Sequence, residues 1–246
     1  MLSNPSEMFI DWDNDKKYWG ENVLRSSAKR LVICIILLGF SPVSAAATAY
    51  QAQCASCHGE YGTGISALNA PNLTRLSAAY MSRQITAFKE GWRAGKDSNS
   101  PANTMAAAIA MMDSTTLELA VKQAAALPTA WSAPLNGNGS ITPANNVAVN
   151  LKKGKDYYTA FCSSCHGTLA TGNELLGAPS LLGLDSDYLV RQYMAFADGL
   201  RGGKSSDRYA QQMGRLAKAL PNADQIDSVM AHVEILSLDN QSPANK

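Results

Sequence analysis

The chain has 246 residues, of which 46% are hydrophobic, and carries 21 Lys and Arg against 20 Asp and Glu. A balance this close excludes the basic field on which nucleic-acid binding depends. With five cysteines and three histidines, the placement of these residues says more than their number.

At the N-terminus, Lys29-Arg30 precede an apolar run (31–40), then Ser41-Pro42 and the small residues 43–47. That is the order of the charged, apolar and cleavage regions of a secretory signal. Residues 1–45 therefore read as an N-terminal extension with a signal peptide, and the mature chain as periplasmic. An uncleaved anchor over 31–49 is the alternative, but Pro42 and the weakly apolar Ala/Ser tail fall short of the ~20 apolar residues of a span. Asp11, Asp13 and Asp15 lie ahead of the positive pair. They are unusual in an exported chain and suggest a translation start near Val23 or Leu24. Cys34 lies in the apolar run and would leave with it.

Next comes Cys54-Ala55-Ser56-Cys57-His58. C-x-x-C-H is the attachment pattern of c-type haem, in which two thiols on one helical turn meet the vinyl groups and the His supplies an axial nitrogen. A helix is predicted after Ser77, with Tyr80, Gln84, Ile85 and Phe88 on one side and Gly91 loosening its end. A further helix begins after Asp113, where Thr115-x-x-Glu118 resembles a capping box, and stops at Leu127-Pro128. Pro128, Pro134, Asn136-Gly137-Asn138-Gly139 and Pro143 mark residues 128–150 as a linker, with Trp131 packing on a domain surface.

The pattern then returns as Cys162-Ser163-Ser164-Cys165-His166, 108 residues on, and 24 of the 52 positions from Cys54 to Met105 are identical at that offset. A repeat of this length is a duplicated domain, spanning 46–127 and 151–246. The second copy predicts a helix from near Ser186, with Tyr188, Gln192, Tyr193 and Phe196, and a last helix over 223–236. Short helices are expected before each motif, near 46–53 and 153–161. Little strand alternation appears anywhere, so the fold is expected to be all-α.

Met105 lies 47 residues after His58, and Met213 lies 47 after His166. Met111 and Met112 are rivals to Met105, yet their partners at the offset are Ala219 and Leu220, which cannot bind iron. The shared spacing thus selects His58 with Met105, and His166 with Met213, as the axial iron ligands of two covalent haem c groups held by Cys54, Cys57, Cys162 and Cys165. A thioether ligand raises the potential and closes the iron to substrate.

Ala70-Pro71-Asn72-Leu73, the Tyr, Gln, Phe, Gly and Arg positions from 80 to 93, and Met105-x7-Asp113 resemble class I cytochrome c. The tandem arrangement is similar to the dihaem cytochrome c4 family. The resemblance implies two class I cytochrome c domains related by a pseudo-twofold axis, with haem propionate edges facing each other. It implies that the carbonyls of Pro71 and Pro179 fix the axial His rings, although a proline that merely turns the chain is the plainer reading. Arg93 and Arg201 become candidates to meet propionates, or else solvated helix-end residues. Tyr80 and Tyr188 are expected against haem, their hydroxyls toward a propionate or the domain interface; Lys96 and Lys204 are expected in solvent. Gly154, expected to let the first and last helices meet closely, corresponds to Ala46 in the first copy, and His232 is expected to pack rather than bind iron.

The resemblance further implies a carrier rather than an enzyme. It would take electrons from a quinol-cytochrome c reductase or a dehydrogenase and give them to a terminal cytochrome oxidase, with peripheral membrane association compatible with this. The same residues would serve a cytochrome subunit of a dehydrogenase complex, such as a flavocytochrome c sulfide dehydrogenase. A haem enzyme, such as a dihaem peroxidase or a thiosulfate-oxidising cytochrome, would need an open axial position, against which the matched methionines argue. A zinc or thioredoxin-like use of the cysteines is weakest, since no other ligands complete a cage.

Overall fold

Each half of the molecule begins with a capped helix that delivers the chain to a C-x-x-C-H turn. The structure, a computed structural model, describes residues 47–93, 100–129, 149–203, 207–219 and 223–240. The expected signal segment, Lys96, Lys204 and Trp131 lie outside these residues. The described residues fall in one compact unit starting at Ala47.

Thr48 and Gln51 form a reciprocal capping box at the start of α1 (Ala49–Gln53), which runs into α2 (Ala55–His58). Ser77 caps α3 (Ala78–Lys89), as its sequence suggests. Ser100 caps α4 (Pro101–Ala110), with Pro101 in the first turn where its missing N–H costs nothing. The cap of α5 (Ser114–Ala125) is Asp113, which accepts from the Thr116 amide at 2.9 Å; the expected Thr115–Glu118 box does not form. Asp113 wins because its carboxylate sits one residue before the first helical turn, where the orphan N–H groups point.

The second half repeats this order. It comprises α6 (Leu151–Tyr157), a π turn (Tyr158–Cys162), α7 (Ser163–His166), α8 (Ser186–Ala197), α9 (Arg208–Ala219) and α10 (Ala223–Asp239). In each half the first helix packs on the last (α1 on α5, α6 on α10), and the middle helix packs on the two that follow it. The helices α4 and α9, which carry Met105 and Met213, were not among the helices expected from the sequence. At the α6–α10 crossing, a Cβ on Gly154 would lie 2.0 Å from the Ser228 carbonyl oxygen, so only glycine permits the approach.

Among the described residues there are no strands, only isolated bridges. Two of them, Ile65 with Ala70 and Asn173 with Ala178, are equivalent under the repeat. The third pairs Arg93 with Arg201 across the two halves. The fold is two tandem helical domains related by a pseudo-twofold axis, and that bridge lies on the junction.

Candidate functional site

The site is built the same way twice. Cys54 and Cys162 stand at the N-caps of α2 and α7 and are half-buried, while Cys57 and Cys165, one turn on, are exposed. All four thiols are free. Burial, with a smaller push from Cys57, raises the Cys54 thiol; burial and Cys165 lift Cys162 to about 11.

His58 and His166 close the two helices. The His58 Nδ1 lies 2.9 Å from the Pro71 carbonyl oxygen, and the His166 Nδ1 lies 2.9 Å from that of Pro179. A carbonyl only accepts, so in each ring Nδ1 holds the proton and Nε2 keeps its lone pair. Burial outweighs the proline hydrogen bond and holds both imidazoles below the usual histidine range; the Arg93 charge adds to this at His58. Both rings are therefore neutral near pH 7 and suited to bind a metal.

Two supports were missed in the sequence, although the 108-residue offset marks both. Tyr50 and Tyr158 are fully buried, and their hydroxyls donate to the Gly59 and Gly167 carbonyls at 2.7 and 2.6 Å, just beyond each His. Gly64 and Gly172 adopt φ +85° and +86°, and a Cβ there would meet the Pro71 and Pro179 carbonyl carbons at 2.9 and 2.7 Å. These glycines let the proline loop come near enough to reach the imidazole.

In the second domain, a cavity of about 350 Å³ is lined by Cys162, Cys165, His166, Pro179, Tyr188 and Met213. Tyr80 and Gln84, from the first domain, also line it. In the first domain Met105 packs beside Phe88, Ile109 and Leu117 together with Met112, whereas Met111 is 88% exposed and faces solvent. His232 stacks edge-on against Tyr158 at 5.6 Å, a packing role as expected.

Arg93 and Arg201 are not solvated helix-end residues. They are 7% and 5% exposed and lie over Phe88 and Phe196, with guanidinium carbons 4.5 and 4.2 Å from the ring centres. Arg93 donates to Gln84 in its own domain (3.0 Å) and to Gln192 (2.8 Å) and the Tyr188 hydroxyl (3.0 Å) in the other. Arg201 mirrors this with Gln192 (2.7 Å), Gln84 (2.8 Å) and the Tyr80 hydroxyl (3.3 Å). Tyr80 and Tyr188 thus reach the domain junction, the second of the two places expected for their hydroxyls. Burial, reinforced by the neighbouring Arg93 charge, lowers the Arg201 guanidinium from its usual value. Burial opposes ionisation of Tyr188, but Arg93, Arg201 and Arg191 together hold its phenol below the ordinary tyrosine value.

Haem c fits this donor set. Each domain offers two thiols on one turn, a neutral imidazole with Nε2 unengaged, and a thioether on a later helix. The junction offers two buried cations that no carboxylate among the described residues neutralises, and the Nε of Arg93 has no partner. Buried charge left this way calls for an anion, and propionates are anions of the right kind.

Comparison with known proteins agrees. The cytochrome c family profile matches residues 43–128 and again 151–237. The "Thiosulfate dehydrogenase electron acceptor" of Stutzerimonas stutzeri (strain A1501) is 27% identical over 178 residues, covering 72% of this chain and 75% of that protein. The thiosulfate dehydrogenase of Marichromatium purpuratum, in its as-isolated form, superposes with TM-score 0.56 at 26% identity. That match covers 73% of this chain but 35% of the other, so this chain spans about a third of that protein. Cytochrome c4 from Pseudomonas stutzeri shares the fold at TM-score 0.54 and 20% identity, covering 74% of this chain and 92% of its own. Cytochrome c4 from Acidithiobacillus ferrooxidans gives TM-score 0.54 at 23% identity, covering 74% and 97%. The chain belongs to the cytochrome c family, with two such domains in tandem in a cytochrome c4-like fold, one haem c held by Cys54 and Cys57 and the other by Cys162 and Cys165.

Proposed function

We propose that the protein is a periplasmic one-electron carrier that accepts electrons from a dehydrogenase and passes them toward a terminal oxidase. The observation that carries the reading is the pairing of a carbonyl-fixed imidazole with a thioether: His166 and Met213 line one cavity, and His58 and Met105 repeat the spacing. When bound, the haem supplies the one-electron ferric/ferrous couple. The chain does the rest. His58 and Met105 would hold the iron of one haem and His166 and Met213 that of the other, a donor set that would leave neither iron a position for a substrate. Pro71 and Pro179 hold the rings in one orientation and make their nitrogens stronger donors. Arg93, Arg201, Tyr80 and Tyr188 receive the propionates. Thioether ligation and burial keep both potentials high.

The domain limits follow the repeat: 46–127 and 151–246, joined by 128–150. No helix among the described residues is long and apolar enough to cross a membrane. Export rests on the N-terminal signal pattern and on haem attachment outside the cytoplasm.

A thiosulfate-oxidising dehydrogenase is the preferred donor over a quinol-oxidising complex or a flavoprotein sulfide dehydrogenase, because the S. stutzeri relative is named as the electron acceptor of one. The test is stopped-flow reduction of the oxidised holoprotein. Reduction by thiosulfate plus catalytic dehydrogenase, but not by thiosulfate alone, is expected. Reduction by thiosulfate alone would make this protein the enzyme; no reduction in either arm would exclude the donor.

A further inference from the structure

The two arginines and two glutamines at the junction form a closed ring. The side-chain oxygen of Gln84 accepts from Arg93 (3.0 Å) and from Arg201 (2.8 Å); that of Gln192 accepts from Arg201 (2.7 Å) and from Arg93 (2.8 Å). Each glutamine therefore joins one arginine of its own domain to one of the other. The ring is buried at its cations, and it holds two like charges together through neutral acceptors. Such an arrangement is unfavourable alone, since burial and mutual repulsion both oppose it. It reaches into the haem site across the junction, since Tyr80 and Gln84 of the first domain line the cavity of the second.

Resting on the haem-holding role given above to Arg93 and Arg201, we propose that the ring is one shared cationic centre that sets both redox potentials together. Gln84 and Gln192 are its positioning residues. Each arginine acts on the haem site of the opposite domain as well as on its own, because its guanidinium nitrogens are divided between them. Favouring the reduced form at both sites, the centre raises both potentials. The glutamines fix that division by allowing neither arginine to swing wholly to one side.

The test replaces a neutral acceptor with a charged one of the same shape. Gln84→Glu keeps both hydrogen bonds, and two flanking guanidiniums hold the new carboxylate ionised. It adds one negative charge equally near both arginines. Potentiometric titration of the Gln84→Glu holoprotein should show both one-electron waves moved to lower potential by a similar amount. An effect of about tenfold in each reduction equilibrium corresponds to about 59 mV per wave. Gln192→Glu should give the same pattern, and Gln84→Met, which removes the acceptor without adding charge, should move both waves less. A shift of one wave only, with each variant moving the wave of its own domain, would overturn the shared centre and leave the haem-holding role intact. No shift of either wave would overturn both. Gln84→Met controls for loosened packing at the junction, so the charge effect is the part of the shift that Gln84→Glu shows beyond it.

Discussion

The two domains share the parts that touch iron and differ in how their helices are held together. In both, imidazole and proline carbonyl are 2.9 Å apart, and the buried tyrosine reaches the glycine beyond the histidine at nearly the same distance. The second domain has one continuous core that includes Tyr158, Leu182, Tyr193, Ile226 and Val233, with Met213 packed against it. The first has two smaller clusters, one around Tyr50, Met81 and Val121 and the other around Phe88, Ile109 and Leu117, linked by Ile85. Its last helix is also shorter: α5 has 12 residues and α10 has 17. The lesson is that ligand geometry tolerates little drift, whereas the shell around it tolerates much.

The largest effect should come from removing attachment. Cys54→Ala with Cys57→Ala should lose one haem by intact mass and also much of the helical circular dichroism of the first domain, because its two clusters depend on what lies between them. Cys162→Ala with Cys165→Ala should lose one haem yet keep more helicity, through the α6–α10 contact. The reverse order of helix loss would break the comparison. Next is Gly154→Ala, which forces a methyl into the Ser228 backbone and should cost about 3 kcal/mol of second-domain stability. Denaturant unfolding followed at each haem's absorbance should leave the first domain unchanged. Smallest and most equal are Tyr50→Phe and Tyr158→Phe. Each deletes one hydrogen bond to a glycine carbonyl and should cost about 1 kcal/mol in its own domain. Clearly unequal costs would show that the shared parts are less alike than their distances suggest.

Much of this was legible in the sequence because the repeat tests every residue against its partner. The cysteines and histidines of the two C-x-x-C-H motifs, and Met105 with Met213, stand at identical offsets, and Ser77 and Gly154 carry recognisable local physics. What was not legible depends on tertiary contact. The helices α4 and α9 pack on α3 and α8; Ala-rich α4 has only a weak amphipathic period, whereas α9 is strongly amphipathic and its period was overlooked. The ring of Gln84, Arg93, Gln192 and Arg201 cannot be read from either copy alone, because each arginine is completed by the other domain. The start of the helix after Asp113 was legible, and the Thr115–Glu118 box was a misreading, since Asp113 itself stands at the N-cap.

The most direct test is a spectroelectrochemical titration of the purified holoprotein, with cyanide added to the oxidised form. Two one-electron transitions, both well above the range of bis-histidine haems, and no cyanide binding at rest are expected. A strongly negative midpoint, or cyanide binding to either iron, would contradict imidazole–thioether ligation at both sites.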